Sequence, residues 1–329
     1  MMKAAFVGAS RENFDRVYAR KQRETLASRV ELLPGVFCDV RDPALKDVEA
    51  IFSTWGMPTA SAEEIRVHLP SLRYVFYAAG SVQAFARPFL DCGVRVFSAW
   101  QANAVPVAQY AFAQILLALK GYFPAQAAMR TSRAAASAAA AGYPGVFDAK
   151  VGLLGCGAIG SRLAQMLAPL DVEVLVFDPF LPDARAAQLG VRKAELDEIF
   201  ARCDVVSNHL ANLPATVGII RREHLLSMKP CSTFINTGRG PQLSERDLYD
   251  MLVLDPTRFA LLDVLTDEGH SDSNPLASLP NCLITPHIAG SSGFEVRRMA
   301  DYMIDAFDQV SAGKPCAYEV TPDMLDTMA

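Results

Sequence analysis

The sequence predicts an α/β protein built from two doubly wound parallel sheets. The chain has 329 residues, enough for about two domains at roughly 150 residues each. Short apolar runs alternate with amphipathic stretches from the first residue onward, a pattern typical of parallel strands covered by helices on both faces. A long helical stretch separates an earlier series of alternations from a later one, so two sheets are expected.

The first series predicts five strands with helical patterns between them. These strands are Ala4–Val7, Val30–Phe37, Ala50–Phe52, Tyr74–Tyr77 and Val94–Phe97. The series ends near Trp100, so residues 1–101 are predicted to form the first domain.

A helix is predicted from Ala102 to Leu119, where apolar positions recur at helical spacing, and Gly121 and Pro124 end it. The next stretch, Ala127–Ala141, is almost entirely Ala and Ser, which favours a single helix with undemanding packing. The glycines and proline of residues 142–145 then break the chain before a new strand.

The second series predicts a second sheet, within a domain that spans residues 102–291. Its strands are Lys150–Leu154, Val172–Phe177, Val205–His209, Thr233–Asn236, Phe259–Asp263 and Cys282–Thr285. A last helix near Ser292 to Val310 lies beyond the final strand and is expected to cross back to the first domain. Residues 292–329 are therefore assigned to that return, with Lys314 to Ala329 as a tail.

The composition argues against several classes of partner. The net charge is −5 and no basic tail or stripe is present, so nucleic acid is not expected. The N-terminus lacks the apolar stretch of a signal peptide, and polar residues or proline interrupt the most apolar segment, so no membrane association is expected. Seven widely spread cysteines without a C-x-x-C pair predict a cytoplasmic protein with neither metal nor disulfides.

Residues 155–160 read Gly-Cys-Gly-Ala-Ile-Gly, a G-x-G-x-x-G between a predicted strand and a predicted helix. Gly155 allows the tight turn, Gly157 lets the backbone approach a pyrophosphate, and Gly160 lets the helix pack closely on the strand. Asp178 ends the next strand, where it can bind the ribose hydroxyls and repel a 2′-phosphate. The motif predicts a Rossmann domain that binds NAD rather than NADP, the alternative being a plain glycine turn with a surface aspartate.

Polar residues follow the strands of the second sheet, where ligands of open parallel sheets bind. Hydride transfer between a nicotinamide and a carbonyl needs a proton donor for the oxygen and a group that tunes this donor. A keto acid also needs a cation for its carboxylate. We assign these roles to His287, Glu268 and Arg239. Taken singly, His287 also fits a structural histidine, and Arg239 and Glu268 also fit surface charges. His209 is interpreted as structural or as lying on the phosphate side, and His224 is interpreted as a surface residue.

The chain resembles the D-isomer-specific 2-hydroxyacid dehydrogenase family over essentially its whole length. The motifs that carry the resemblance are Val151–Gly160 with Asp178, Asp204–His209, Met228–Pro230, Asn236–Gly240, Asp263–Val264 with Glu268, and Thr285–Gly290. The resemblance implies that Arg239, Glu268 and His287 are catalytic. It also implies a discontinuous, flavodoxin-like substrate domain, a cleft between the two domains, and a homodimer.

Further binding residues follow from the same resemblance. For the cofactor they are Ala158, Ile159, His209, Thr237, Gly238, Asp263, Ala289 and Gly290, beside Gly155, Gly157, Gly160 and Asp178. For the substrate they are Asn103, Arg239 and the backbone N–H groups of Ala79, Gly80 and Ser81. That glycine-containing loop lacks the aspartate usual in the family. Trp55 follows a first-domain strand and is interpreted either as a wall of the substrate pocket or as packing of its own loop.

The sequence thus predicts an NAD-dependent oxidoreductase that interconverts a 2-keto acid and a D-2-hydroxy acid. One alternative is an NADH-sensing binding protein on the same fold, like the family's transcriptional corepressors. Another is a dehydrogenase of a small non-carboxylate substrate such as phosphite or formate.

Overall fold

The structure, a computed structural model, describes residues 1–328 and divides into two compact units. One unit contains Met1–Asn103 together with the chain from Ser291 onward, and the other contains Ala104–Gly290. The cleft expected between two domains stays a prediction.

Each unit is built around one sheet. In chain order the strands of residues 1–328 are β1 (Lys3–Val7), β2 (Glu31–Phe37), β3 (Ala50–Ser53), β4 (Tyr74–Tyr77), β5 (Arg95–Ser98), β6 (Ala149–Leu154), β7 (Val172–Phe177), β8 (Arg192–Lys193), β9 (Val205–Asn208), β10 (Thr233–Asn236), β11 (Phe259–Leu262), β12 (Cys282–Ile284) and β13 (Glu319–Val320).

Helices separate most of these strands. They are α1 (Arg11–Val17), α2 (Arg20–Ala27), α3 (Ala62–His68), α4 (Ala86–Asp91), α5 (Trp100–Leu119), α6 (Tyr122–Met129), α7 (Arg133–Ala140), α8 (Ala158–Leu167), α9 (Asp183–Leu189), α10 (Leu196–Arg202), α11 (Arg222–Ser227), α12 (Glu245–Leu254) and α13 (Val296–Ser311).

The sheet of the first unit has the strand order β2-β1-β3-β4-β5-β13. Its first five strands run parallel in the flavodoxin-like order, and β13 joins the edge antiparallel to β5. On one face, Phe52, Phe76 and Phe97 stack with ring centroids 4.9 and 5.0 Å apart. Phe307 of α13 packs on the same rings, so this helix covers the first sheet.

The sheet of the second unit has the order β8-β7-β6-β9-β10-β11-β12, all parallel, which is the Rossmann order with one further strand. The predicted α/β class with two parallel sheets is confirmed. The strand order reverses between β6 and β9, whose last residues Leu154 and Asn208 are register partners. A ligand is therefore expected at the carboxyl ends of these two strands.

Two local predictions are wrong. The predicted single helix at Ala127–Ala141 is two helices, because the side chain of Ser132 accepts a hydrogen bond from the N–H of Ala135 at 3.0 Å and starts α7 after a break. The predicted tail from Lys314 contains β13 and a short 3-10 helix at Pro322–Asp326. Two-residue strands such as β8 and β13 carry no apolar run that would reveal them.

Helix α5 is long and apolar enough to cross a membrane when only its length and its mean hydropathy of 1.4 are considered. Half of that apolar window is buried inside the protein, and Ala111, Ile115 and Ala118 belong to the core of the second unit. Packing against this core accounts for the apolar face of α5.

Candidate active site

The glycine-rich turn after β6 has the geometry that the motif predicts. Gly155 has φ +90°, and a Cβ there would lie 2.9 Å from the carbonyl oxygen of His209. At Gly160 a Cβ would lie 2.1 Å from the carbonyl oxygen of Gly155, so only glycine lets α8 approach the turn. At Gly157 a Cβ would meet no heavy atom within 4 Å, so this glycine faces open space.

The open space beside Gly157 suits an anion. Gly157 caps the N-terminus of α8, and the N–H groups of Gly157, Ala158 and Ile159 have no hydrogen-bond acceptor among residues 1–328. The first N–H groups of a helix and its dipole attract phosphate groups. The turn therefore fits the pyrophosphate of a dinucleotide.

Asp178 follows β7 and lies beside this turn. One carboxylate oxygen accepts the N–H of Cys156 at 2.7 Å and the other accepts the N–H of Phe180 at 2.9 Å. Each oxygen keeps a further lone pair for a ribose hydroxyl. The sequence predicted the position of Asp178 but not its two bonds to the backbone, which hold the carboxylate at the turn.

His209 is buried directly after β9. Its Nε2 lies 2.9 Å from the hydroxyl of Ser207 and its Nδ1 lies 2.9 Å from the hydroxyl of Thr237. Burial lowers the pKa of His209 to about 3, so the ring is neutral at physiological pH. Because both ring nitrogens are already bonded, we expect His209 to contact a cofactor only through its backbone.

Arg239 lies in the turn after β10, next to Thr237 and Gly238. Its Nη1 donates to the carbonyl oxygen of Gly238 at 2.7 Å. Burial lowers the pKa of Arg239 from its usual value, and the nearby carboxylate of Glu268 acts in the opposite direction. A guanidinium remains protonated in proteins, so Arg239 places a partly buried cation beside Glu268.

His287 and Glu268 form a pair, with 3.0 Å between Nδ1 of His287 and a carboxylate oxygen of Glu268. Their side chains are 45% and 47% exposed, so both reach solvent. The backbone at His287 has φ +55°, an uncommon conformation for a residue other than glycine, and its N–H bonds to the carbonyl oxygens of Asp263 and Thr285. The structure thus brings Arg239, Glu268 and His287 together within one unit.

Asp263 organises the loop that carries His287. One of its carboxylate oxygens accepts from the Thr285 hydroxyl at 2.6 Å and the Ile288 N–H at 2.8 Å, and the other accepts from the Ala289 N–H at 2.9 Å. Tyr110 of α5 bonds to the same Thr285 hydroxyl at 2.9 Å. The sequence placed Asp263 among the cofactor-binding residues and did not reveal these contacts, which fix the loop next to Gly290.

A cleft of about 560 Å³ opens beside the His287–Glu268 pair. Its lining residues are Asp263, Leu265, Glu268, Ser271, Asp272, Ala277, Ile284, Thr285, Pro286 and His287. The lining combines apolar side chains with three carboxylates and the imidazole of His287. The pair is therefore accessible to a small molecule.

The substrate-binding residues predicted in the first unit lie at the carboxyl edge of its own sheet. The N–H groups of Ala79, Gly80 and Ser81 follow β4 and have no acceptor among residues 1–328. The amide oxygen of Asn103 accepts the N–H of Ser291 at 2.9 Å, and its amide nitrogen would lie 3.7 Å from a Cβ at Gly80. Trp55 is half-buried and packs against the apolar clusters on both faces of the sheet.

Sequence reasoning missed one set of buried residues, the carboxamides of Asn208, Asn236 and Gln242, which bond to one another next to Arg239. Asn208 and Asn236 end neighbouring strands as register partners, a position that could have drawn attention to them. The interpretation of His224 as a surface residue is wrong, because its ring is buried and lies 2.9 Å from a carboxylate oxygen of Asp197.

Residues 112–289 match the family model of the D-isomer specific 2-hydroxyacid dehydrogenase NAD binding domain, more than half of the chain. The chain belongs to this family. The resemblance drawn from the sequence motifs is confirmed, and NAD is the cofactor of the matched domain.

Curated relatives agree with this assignment. The D-3-phosphoglycerate dehydrogenase of Mycobacterium bovis is 36% identical over 236 residues, which are 71% of this chain and 43% of that protein. The hydroxypyruvate reductase of Blautia hydrogenotrophica is 32% identical over 165 residues, 50% of this chain and 51% of that protein. The matched part of this chain thus spans only about half of the length of these relatives or less.

Solved structures share the whole fold at low sequence identity. The D-mandelate dehydrogenase of Rhodotorula graminis has a TM-score of 0.80 at 20% identity, with 97% of each chain covered. A phosphoglycerate oxidoreductase from Rhizobium etli also has a TM-score of 0.80 at 20% identity, covering 99% of this chain and all of the other. These similarities establish the fold.

Proposed function

We propose that the protein is an NAD-dependent oxidoreductase that interconverts a 2-keto acid and a D-2-hydroxy acid. The observation that carries this proposal is the half-exposed His287–Glu268 pair, 3.0 Å apart beside a cleft of the family's NAD binding domain. An accessible histidine held by a carboxylate is a suitable proton donor for a carbonyl oxygen. Arg239 adds the cation that a carboxylate substrate requires.

Each residue has one task in the reductive direction. NADH, held by the glycine-rich turn and Asp178, would supply the hydride for the keto carbon. As the carbonyl electrons move to oxygen, His287 donates the proton on Nε2 to that oxygen, which completes the hydroxyl group. Glu268 accepts the hydrogen bond from Nδ1–H, which fixes the orientation of the ring. Arg239 anchors the carboxylate and stabilises the negative charge that develops on the oxygen.

In the first unit, we infer that the free N–H groups of Ala79, Gly80 and Ser81 bind the substrate carboxylate, with the Asn103 amide as a further donor. Three successive free N–H groups form an anion site without a charged side chain. The loop can therefore bind a carboxylate although it lacks the aspartate that is usual in the family.

The test is NADH oxidation followed at 340 nm with a panel of keto acids, and NADPH as the parallel cofactor. The panel includes glyoxylate, pyruvate, hydroxypyruvate, phosphohydroxypyruvate and phenylpyruvate, chosen to vary size and to include chemistry named in the relatives. We expect turnover with NADH and much less with NADPH. NADH binding without turnover on any member would favour an NADH sensor or a non-carboxylate substrate instead.

A Trp55→Leu variant tests the proposed substrate wall in the same panel. If Trp55 lines the pocket, the ratio of kcat/KM for phenylpyruvate to that for glyoxylate changes. An equal loss on both substrates would assign Trp55 to packing alone, because a general folding defect cancels in the ratio.

We also propose a cytoplasmic homodimer without nucleic-acid or membrane partners. Four exposed apolar side chains of the NAD-binding unit support a contact through this unit. They are Leu117 in α5, Tyr122 and Met129 in α6, and Phe147 shortly before β6. Sedimentation equilibrium gives the mass directly, and a monomer at micromolar concentration would contradict the dimer.

A further inference from the structure

The turn that carries Arg239 rests on a cluster of three buried carboxamides, which we name the amide cluster: Asn208, Asn236 and Gln242. All three side chains are at most 1% exposed. Asn208 and Asn236 are register partners at the ends of β9 and β10. Gln242 ends the short 3-10 helix after Arg239, and its side chain reaches back to Asn208.

Gln242 uses its full hydrogen-bonding capacity within this cluster. Its Oε1 accepts from Nδ2 of Asn208 at 2.7 Å and from the N–H of Arg239 at 2.9 Å. Its Nε2 donates to the carbonyl oxygens of Leu210 at 3.1 Å and Ala211 at 2.9 Å. One side chain therefore joins the turn after β10 to the loop after β9.

The two asparagines complete the contacts around Arg239. Nδ2 of Asn236 donates to the Arg239 carbonyl oxygen at 3.3 Å, and its Oδ1 accepts from the Gly238 N–H at 3.0 Å. Oδ1 of Asn208 accepts the N–H of Leu210 at 3.2 Å. The cluster thus binds both the N–H and the carbonyl oxygen of Arg239, and it also holds Gly238, whose carbonyl accepts the guanidinium.

A buried polar network whose members are all satisfied contributes mainly to a single rigid geometry, because it replaces apolar packing with directional bonds. The loop after β9 adjoins the nucleotide turn, where a Cβ at Gly155 would contact the His209 carbonyl. Because Gln242 joins this loop to the turn of Arg239, it fixes the position of the guanidinium relative to the nucleotide site.

We propose that Gln242, supported by Asn208 and Asn236, is a positioning residue that acts on the reaction through Arg239. This inference rests on the proposed function, in which Arg239 anchors the substrate carboxylate. The amide cluster touches neither substrate nor cofactor, and its effect is on the orientation of the guanidinium.

The first test is a double-mutant cycle with Gln242→Met, which keeps the chain length but removes the amide. We expect Gln242→Met to lower kcat/KM about 10- to 100-fold in the wild-type background and less than about threefold in an Arg239→Ala background. An equal loss in both backgrounds would overturn the proposal, because a general destabilisation does not depend on Arg239.

Asn281 provides the matched control. It is a buried carboxamide of the same unit whose Nδ2 also donates to two backbone carbonyls, those of Leu252 and Arg258, at 3.0 and 2.9 Å. It directly precedes β12, so it lies at the amino ends of the parallel strands, whereas Arg239 lies beyond their carboxyl ends. Asn281→Leu should lose similar bonds and similar stability while kcat/KM stays near the wild-type value.

The second test does not depend on activity. In Gln242→Met the N–H of Arg239 loses its acceptor, so its hydrogen exchange should accelerate about 10-fold or more, and Asn281→Leu should leave it unchanged. Unchanged exchange at Arg239 in Gln242→Met would overturn the positioning role. If Arg239→Ala instead retains full kcat/KM, or no substrate is turned over, the proposed function fails while the exchange result still decides on the amide cluster.

Discussion

The carboxyl edges of the two sheets carry different kinds of recognition groups. In the second unit, the residues after the strands are charged or polar side chains, among them Asp178, Arg239, Asp263 and His287. In the first unit, the residues after β4 are small, and the groups left free are backbone N–H groups at Ala79–Ser81. The first edge is thus suited to binding an anion, whereas the second also has groups that transfer or stabilise charge.

The difference extends to how each edge is held in place. At the first edge, hydroxyls hold the backbone: Ser98 donates to the carbonyl oxygens of Ala79 at 2.9 Å and Gly80 at 2.7 Å, and Thr54 donates to that of Ala78 at 3.0 Å. With their carbonyls bonded, Ala79 and Gly80 present their N–H groups to a ligand. At the second edge, the amide cluster and the Asp263 carboxylate hold the loops, so buried polar side chains support the more exposed Arg239 and His287.

Among substitutions at the second edge, the replacement of His287 should have the largest effect on turnover. His287→Asn removes the proposed proton donor and retains a residue type that tolerates a positive φ. We expect kcat to fall about 10²- to 10⁴-fold, the range for general acid catalysis, with NADH affinity nearly unchanged. Steady-state kinetics and fluorescence titration with NADH measure the two quantities.

His270 is the matched control for this substitution. Its Nδ1 lies 2.8 Å from an Asp267 carboxylate oxygen, a pair of the same kind as His287–Glu268, but on a solvent-exposed turn. His270→Asn should leave kcat unchanged. Equal kcat values for the two variants would show that His287 is not the proton donor.

The sequence was most informative where chemistry depends on side-chain identity. The strand pattern predicted both sheets, and the residues at the strand ends predicted the grouping of Arg239, Glu268 and His287. It was less informative where polar groups bond across the fold, because a carboxamide such as Gln242 has no signature that distinguishes a surface position from a buried one. The short strand β13 was missed for a related reason: its pairing with β5 is a tertiary contact without a local pattern.

Two glycine substitutions test whether the edges bind different ligands. A Cβ at Gly157 meets nothing within 4 Å, and one at Gly80 meets only Asn103 at an ordinary 3.7 Å, so both alanine variants should fold normally. Gly157→Ala should raise the Kd for NADH about 10-fold by filling the space next to the free N–H groups of α8. Gly80→Ala should raise the KM for the keto acid about 10-fold and leave NADH binding unchanged.

The pattern across the two variants is the informative result. Each variant serves as the control for the other, since both add one methyl group to a loop at a sheet edge. If both variants weaken the binding of NADH and the binding of the keto acid to the same extent, the assignment of one ligand to each edge is wrong. Thermal unfolding of each variant checks that the fold is retained.

The smallest effect concerns the pH dependence of stability and contrasts the buried His209 with the exposed His287. The folded-state pKa of His209 is about 3, below the value near 6.5 expected for an unfolded chain. Between these pH values the unfolded chain takes up a proton that the folded protein does not. His209 therefore lowers the free energy of unfolding as pH falls below 6.5, by up to about 1.4 kcal/mol per pH unit.

A His209→Gln variant removes this titration and retains a side chain that can bond to the neighbouring hydroxyls. Chemical denaturation at pH 7.5 and 5.5 should show a loss of stability that is about 1 kcal/mol larger in the wild type than in the variant. All other titrating groups are common to both proteins and cancel in the difference. An identical loss in the two proteins would mean that the His209 ring also binds a proton in the folded state. The hydrogen-bond partner of Thr237 would then be a titrating group and not a neutral ring.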